Sequence, residues 1–147
     1  MAFQHSTTGE EVADRFSNQI DGKVILLTGA TWGGLGAETV RILSKHNPRL
    51  VIMAGRKQEA LDETISKIRQ ETPNVQLRAL LLDLGSLDSI KEAAAQVNKY
   101  SENIDVLINN AGVMASPYFT TKDGFEGQFG TNHLHTWLPD AMEGPTP

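Results

Sequence analysis

The sequence contains no cysteine, so a disulfide framework and a thiolate metal site are both excluded. Positive charge is scarce. Thirteen lysines and arginines against eighteen aspartates and glutamates leave a formal charge of −5, which provides no basic face for nucleic acid. Long apolar runs are missing as well, since none approaches the roughly 20 residues that cross a bilayer. The N-terminal stretch is polar and carries Glu10, Glu11 and Asp14, which rules it out as the apolar segment of a secretion signal. The expectation from these absences is a cytoplasmic protein in a reducing compartment, with no membrane and no nucleic-acid partner.

What remains is the make-up of a globular chain. Hydrophobic residues account for 39% and charged ones for 21%, which separates it from disordered sequences. At 147 residues the chain is one domain in size. A chain of that length buries about two-thirds of its unfolded surface.

Residues 1–22 read as a leader, in which Val12, Phe16 and Ile20 recur at spacings of four and outline a short helix ending at Asp21-Gly22. The periodicity then changes. Val24-Ile25-Leu26-Leu27 is a continuous apolar run, as expected of a strand covered on both faces. A glycine-rich turn follows, and then a helix with Ala37, Val40 and Leu43 on its buried face, stopped at Asn47-Pro48. Leu50 to Ala54 forms a second strand, and Leu61, Ile65 and Ile68 mark a second helix. Val75 to Leu82 is the third strand. Leu87, Ile90, Ala94 and Val97 line a third helix capped by Ser86, and Ile104 to Ile108 is the fourth strand.

Strands alternating with helices through short turns imply parallel pairing with right-handed crossovers. The fold class is therefore α/β, a Rossmann-type parallel sheet with helices on both faces. Beyond Ser116 the pattern weakens. Phe125 and Phe129 share a helical face, but Gly124, Gly127 and Gly130 each cost about 1 kcal/mol of helix propensity. The expected organisation is a leader at 1–22, a dinucleotide-binding domain at 23–134 and an irregular tail at 135–147.

The turn Thr28-Gly29-Ala30-Thr31-Trp32-Gly33-Gly34-Leu35-Gly36 sits between a buried strand and a helix N-terminus. Free N–H groups and the positive end of the helix dipole favour an anion there. Gly29 would make the tight turn, Gly33 and Gly34 would admit a pyrophosphate, and Gly36 would bring helix and strand together. The candidate cofactor contacts are Thr28, Gly29, Thr31, Gly33, Gly34, Leu35 and Gly36. A lone glycine cluster could be a bland turn; its place on the first strand of a βαβ repeat favours a dinucleotide.

Which dinucleotide depends on the end of the second strand. An acidic residue about 20 positions beyond the glycine turn reads a ribose 2′-hydroxyl, whereas an arginine matches a 2′-phosphate. That count from Gly36 lands on Arg56, with Lys57 beside it and no acid before it. NADP is preferred over NAD, the competing reading being a solvated pair at a helix start. Asp83 ends the third strand at the carboxyl edge of the sheet, where ligands bind, although a turn carboxylate bonding local N–H groups would look the same. Trp32 either packs over the cofactor or is merely half-buried.

Thr28-Gly29 with Gly33-Gly34-Leu35-Gly36, then Asp83, then Asn109-Asn110-Ala111-Gly112, resemble the hallmarks of the short-chain dehydrogenase/reductase family. Thr121-Lys122-Asp123-Gly124-Phe125-Glu126 through Phe129-Gly130-Thr131-Asn132-His133-Leu134 resembles its retinol-dehydrogenase-like branch. The resemblance runs from about residue 10 to residue 134. One departure is an extra residue in the glycine turn. The resemblance implies a sheet order of 3-2-1-4 and hydride transfer between NADP and a small alcohol or carbonyl. It also implies adenine contacts from Asp83 and Leu84, and a loop of Asn109, Ala111 and Gly112 beside the nicotinamide ribose, with Asn109 stabilising the central strand.

The family's serine, and its tyrosine with a lysine four residues on, have no match; only the supporting asparagine does, at Asn132. Tyr118 and Lys122 stand four apart but fall six residues after Gly112, with Pro117 before them and no apolar stripe around them, and read as coincidence. His133 and His135 lack a third ligand nearby. The expectation is a truncated, catalytically incomplete family member. Its alternatives are a non-catalytic NADP-binding or protein-interaction module that self-associates through the exposed fourth strand, and a splice or gene-model product of a full enzyme.

Overall fold

The computed structural model describes residues 3–134. The irregular tail expected at 135–147, with His135, lies outside them. Strands β1 (Val24–Thr28), β2 (Leu50–Gly55), β3 (Leu77–Leu81) and β4 (Val106–Ile108) form one parallel sheet in the order β3-β2-β1-β4. Between them run α3 (Leu35–Ser44), α4 (Gln58–Glu71) and α5 (Leu87–Val97); α1 (Gly9–Arg15) and α2 (Ser17–Ile20) precede the sheet and α6 (Gly127–Leu134) follows it.

The unbroken apolar runs are explained by cores on both faces. Val24, Leu26, Leu50 and Ile52 turn toward Ile90 and Ala94 of α5. Their neighbours Ile25, Leu27, Val51 and Met53 turn the other way, toward Val40 of α3 and Leu61 and Ile68 of α4. Leu26, Leu27, Ile52 and Met53 are all fully buried, and each contributes about 1.5–3 kcal/mol by leaving water. Ser86 caps α5 as its sequence implies, accepting the Ser89 N–H at 3.4 Å.

Three local expectations change. The N-terminal helix breaks at Phe16 into α1 and α2. Thr8 and Glu11 form a capping box at its start, the Glu11 N–H donating to Thr8 Oγ1 at 3.2 Å and the Thr8 N–H to Glu11 Oε2 at 2.7 Å. This leader packs on the domain: Arg41 of α3 binds Glu10 of α1 and its own neighbour Glu38, both at 2.6 Å, and Glu71 of α4 at 3.1 Å. Its guanidinium holds the Glu38 carboxyl below the usual carboxylate range.

The fourth strand is shorter than Ile104 to Ile108. The Asp105 carboxylate takes the Val24 N–H at 2.7 Å while the Asp105 N–H donates to the Val24 carbonyl at 2.9 Å, so side chain and main chain together hold the chain against β1 just before β4. The third change is α6, which forms despite its glycines. Glu126 caps it, accepting the Phe129 N–H at 2.7 Å and the Gln128 N–H at 3.0 Å, and these bonds hold its carboxyl below the usual range. A Cβ on Gly127 would enter the Phe119 ring, and one on Gly130 would lie 2.6 Å from Thr121 Cγ2. Close packing, absent from propensity, requires glycine at both positions. No described helix is long and apolar enough to cross a membrane.

Candidate functional site

The carboxyl ends of the strands open into a cleft of about 360 Å³. Eight of the residues singled out in the sequence meet there: Thr28, Gly29, Thr31, Leu35, Arg56, Leu84, Ala111 and Gly112. Ala54, Gly55, Leu82, Asn110, Val113 and Thr131 complete the same wall; of these, Asn110 and Thr131 belong to the motifs, which assign them no contact role. Gly33, Gly34, Gly36, Lys57, Asp83, Asn109 and Asn132 are not among the residues that line it.

The glycine turn shows how these residues are brought together. Gly29 N–H donates to the Ala54 carbonyl at 2.8 Å, fixing the end of β1 against β2. Gly36 lies so close to the Gly29 carbonyl oxygen that a Cβ would fall on it, and 2.6 Å from Asn110 Nδ2. The helix therefore starts directly over the strand end. Its first N–H groups lack intrahelical partners and its dipole places positive charge at the cleft. An anion has both a cradle and a field there.

The lengthened turn bulges at its middle. Gly34 N–H bonds to the Thr31 carbonyl at 3.1 Å and closes a four-residue turn, with Gly33 at φ +84. Nothing stands within 4 Å of a Cβ placed on Gly33. Gly33 thus sits in a bulge of the turn with open space beside it, and Gly34 is the N-cap of α3.

The loop after β4 requires a second correction. Asn110, rather than Asn109, ties the central strand: its Nδ2 donates to the Thr28 carbonyl at 2.9 Å and the Gly29 carbonyl at 3.3 Å. Ala111 N–H adds a bond to Thr28 Oγ1 at 3.0 Å. Asn109 is exposed. Two adjacent asparagines look alike in sequence, and only their alternation at a strand end decides which one points inward.

Asp83 forms the turn that was its bland alternative, Oδ1 accepting the Gly85 N–H at 2.9 Å, beside the buried Leu82 and Leu84. Arg56, at the end of β2, is exposed and pairs with no carboxylate among the described residues. Lys57 is the N-cap residue of α4. Asn132 of α6 clasps one main-chain residue from both sides, its Oδ1 accepting the Val113 N–H and its Nδ2 donating to the Val113 carbonyl, each at 2.8 Å. It thereby holds the loop that carries Gly112.

Tyr118 and Lys122 share no helix. Tyr118 lies in irregular chain, 80% exposed, and Lys122 lies in a turn. His133 stacks on Phe129 with centroids 5.0 Å apart. No group of three or more metal-ligating side chains occurs among the described residues.

The family profile described as short chain dehydrogenase matches residues 23–134. Retinol dehydrogenase 13 from Homo sapiens is 45% identical over 119 residues, which is 81% of this chain and 35% of that protein. Retinol dehydrogenase 12 from Mus musculus is 42% identical over 120 residues, 82% of this chain and 37% of that protein. Among solved structures, a short-chain dehydrogenase from Sphingobium yanoikuyae in complex with NADPH superposes with a TM-score of 0.66 at 27% identity, over 82% of this chain and 47% of that one. NADPH-bound carbonyl reductase from chicken fatty liver gives 0.64 at 27% identity, over 84% and 48%. The chain thus spans little more than a third of these curated relatives and about half of these solved chains. With a profile match over residues 23–134 and a relative 45% identical across 81% of its length, this chain belongs to the short-chain dehydrogenase family.

Proposed function

We propose that this chain holds NADP in the cleft and is the cofactor-binding part of an oxidoreductase acting on a small alcohol or carbonyl. The observation that carries the choice of NADP is Arg56, an exposed guanidinium on the cleft rim where an acidic residue would select NAD. The NADPH bound in two of the similar structures supports the same choice. When bound, the cofactor supplies the hydride. The chain's own residues orient and hold it. The start of α3 would hold the pyrophosphate, and Arg56, whose guanidinium can make paired hydrogen bonds, would take the 2′-phosphate. Leu82 and Leu84 give the adenine an apolar wall, and the loop of Asn109, Ala111 and Gly112 borders the nicotinamide ribose.

Asn132 spends its carboxamide on Val113, so it supports that loop and moves no proton itself. With Tyr118 and Lys122 apart from any shared helix face, the role proposed for the described residues is to bind cofactor rather than to turn over substrate. General acid–base assistance is worth about 10²- to 10⁴-fold, and no tyrosine–lysine pair on one helix face supplies it among the described residues. Calorimetric titration of the purified chain tests the binding. NADPH should bind at one site, more than about tenfold tighter than NADH, as a charge-assisted contact implies. Equal affinities, or no binding of either, would contradict the proposal.

The sheet edge favours a second property. β4 is an edge strand in the order β3-β2-β1-β4, and its Val106 is 39% exposed. An apolar edge presents unpaired N–H and C=O groups to another strand. Size-exclusion chromatography across a concentration series should show association that grows with concentration. A chain that elutes as a monomer throughout would overturn this reading.

A further inference from the structure

The added residue in the glycine turn is tied to a helix that has no direct place in the cleft. Trp32 N–H, in the middle of the bulge, donates to Thr64 Oγ1 at 2.8 Å. Thr64 sits in α4 and is completely buried. Its own hydroxyl proton goes to the Ala60 carbonyl at 2.8 Å, so the acceptor lone pair aimed at Trp32 is fixed in direction. One helical turn further on, Lys67 holds its Nζ 4.9 Å from the centre of the Trp32 ring. Helix α4 therefore grips the bulge at a main-chain hydrogen and at a side chain.

The same helix begins beside Arg56. Lys57 is its N-cap residue, and Arg56 comes immediately before it. A turn bonded to the middle of α4 is held in register with a guanidinium at the start of α4. Without the tie, a turn lengthened by one residue would be free to shift against that guanidinium. A dinucleotide phosphorylated on the ribose must reach both at once, whereas one lacking the 2′-phosphate needs only the turn.

We propose that Thr64 is a positioning residue for cofactor choice, setting the distance between the pyrophosphate cradle and Arg56 through the Trp32 N–H. This rests on the reading of the cleft as an NADP site. The test uses the full chain with Thr64→Val, which keeps the shape and removes the acceptor, and Thr64→Ser, which keeps the hydroxyl. Thr64→Val should weaken NADPH by about fivefold and NADH by less than about twofold, the effect of one ordinary hydrogen bond felt by only one ligand. Thr64→Ser should restore both affinities. Equal losses for the two dinucleotides, an unchanged NADPH affinity, or failure of serine to rescue would each overturn the positioning role. A wild-type chain that binds neither dinucleotide would overturn the cleft reading first, and this inference with it. Hydrogen exchange on the unaltered chain adds a readout independent of any variant's folding. NADPH should slow exchange at the Trp32 amide more than NADH does, and equal slowing at saturation would overturn the proposal.

Discussion

Arg56→Ala is expected to remove most of the discrimination between NADPH and NADH. The NADPH dissociation constant should rise more than about tenfold, because hydrogen bonds to a charged group contribute about 1.5–3 kcal/mol. The NADH constant should stay within about twofold, since that ligand presents no 2′-phosphate to the guanidinium. The geometry makes the effect selective. Arg56 is exposed and stands on the cleft rim, with no carboxylate partner among the described residues, so its removal leaves no buried charge and no broken ion pair. Lys57→Ala should cost less, because an ammonium on a flexible stem lacks the fork that binds phosphate in two places. Parallel titrations of both variants with both dinucleotides check this. A loss shared equally by NADPH and NADH would show that Arg56 supports the loop rather than reads the phosphate.

Gly36→Val should have the largest effect on the fold itself. The added Cβ would fall on the Gly29 carbonyl oxygen and come within 2.6 Å of Asn110 Nδ2. Neither neighbour is free to give. Gly29 is bonded through its N–H to Ala54, and Asn110 is bonded to Thr28 and Gly29. Helix α3 must therefore lift from β1, breaking the bond between Asn110 and the strand end and moving the helix terminus off the cleft. Overpacking of this kind costs about 3 kcal/mol where nothing relaxes. That amounts to about 10 °C in melting temperature for a domain of this size. NADPH binding should be lost as well. Gly33→Ala is the informative contrast, because the space around it is open. Only its φ of +84 opposes a side chain, at about 1–2 kcal/mol. Thermal melts of the two variants beside the wild type check the order. A Gly36→Val chain that melts within about 2 °C of wild type and still binds NADPH would contradict this geometry.

Much of this architecture is legible in the sequence, for a physical reason. A parallel sheet buried on both faces needs unbroken apolar runs such as Val24-Ile25-Leu26-Leu27, and short strands separated by amphipathic helices leave few other solutions. Arg56 is legible too, because the distance from glycine turn to second strand end is set by the length of one helix and one strand. What stays hidden depends on contacts distant in sequence. Thr64 reads as a polar residue in a helix, and its partner is a main-chain hydrogen 32 positions away. Asn110 and Asn109 differ only in which one faces β1. Gly127 and Gly130 weaken a helix by propensity, yet Phe119 and Thr121 leave room for nothing larger. Asp105 adds a carboxylate bond to the Val24 N–H beside its own main-chain bond to Val24, a contact that no alternation pattern records.

The most direct test of the cofactor site is amide chemical-shift mapping of the isotopically labelled chain during titration with NADPH. The expected result is one saturable set of shifts drawn from loops far apart in sequence: Gly29, Thr31 and Leu35 after β1, Arg56 after β2, and Ala111 and Gly112 after β4. Shifts that instead gather between α1 and α3, at Val12, Phe16 and Ile42, or no shifts at saturating NADPH, would contradict the assignment of the cleft to the dinucleotide.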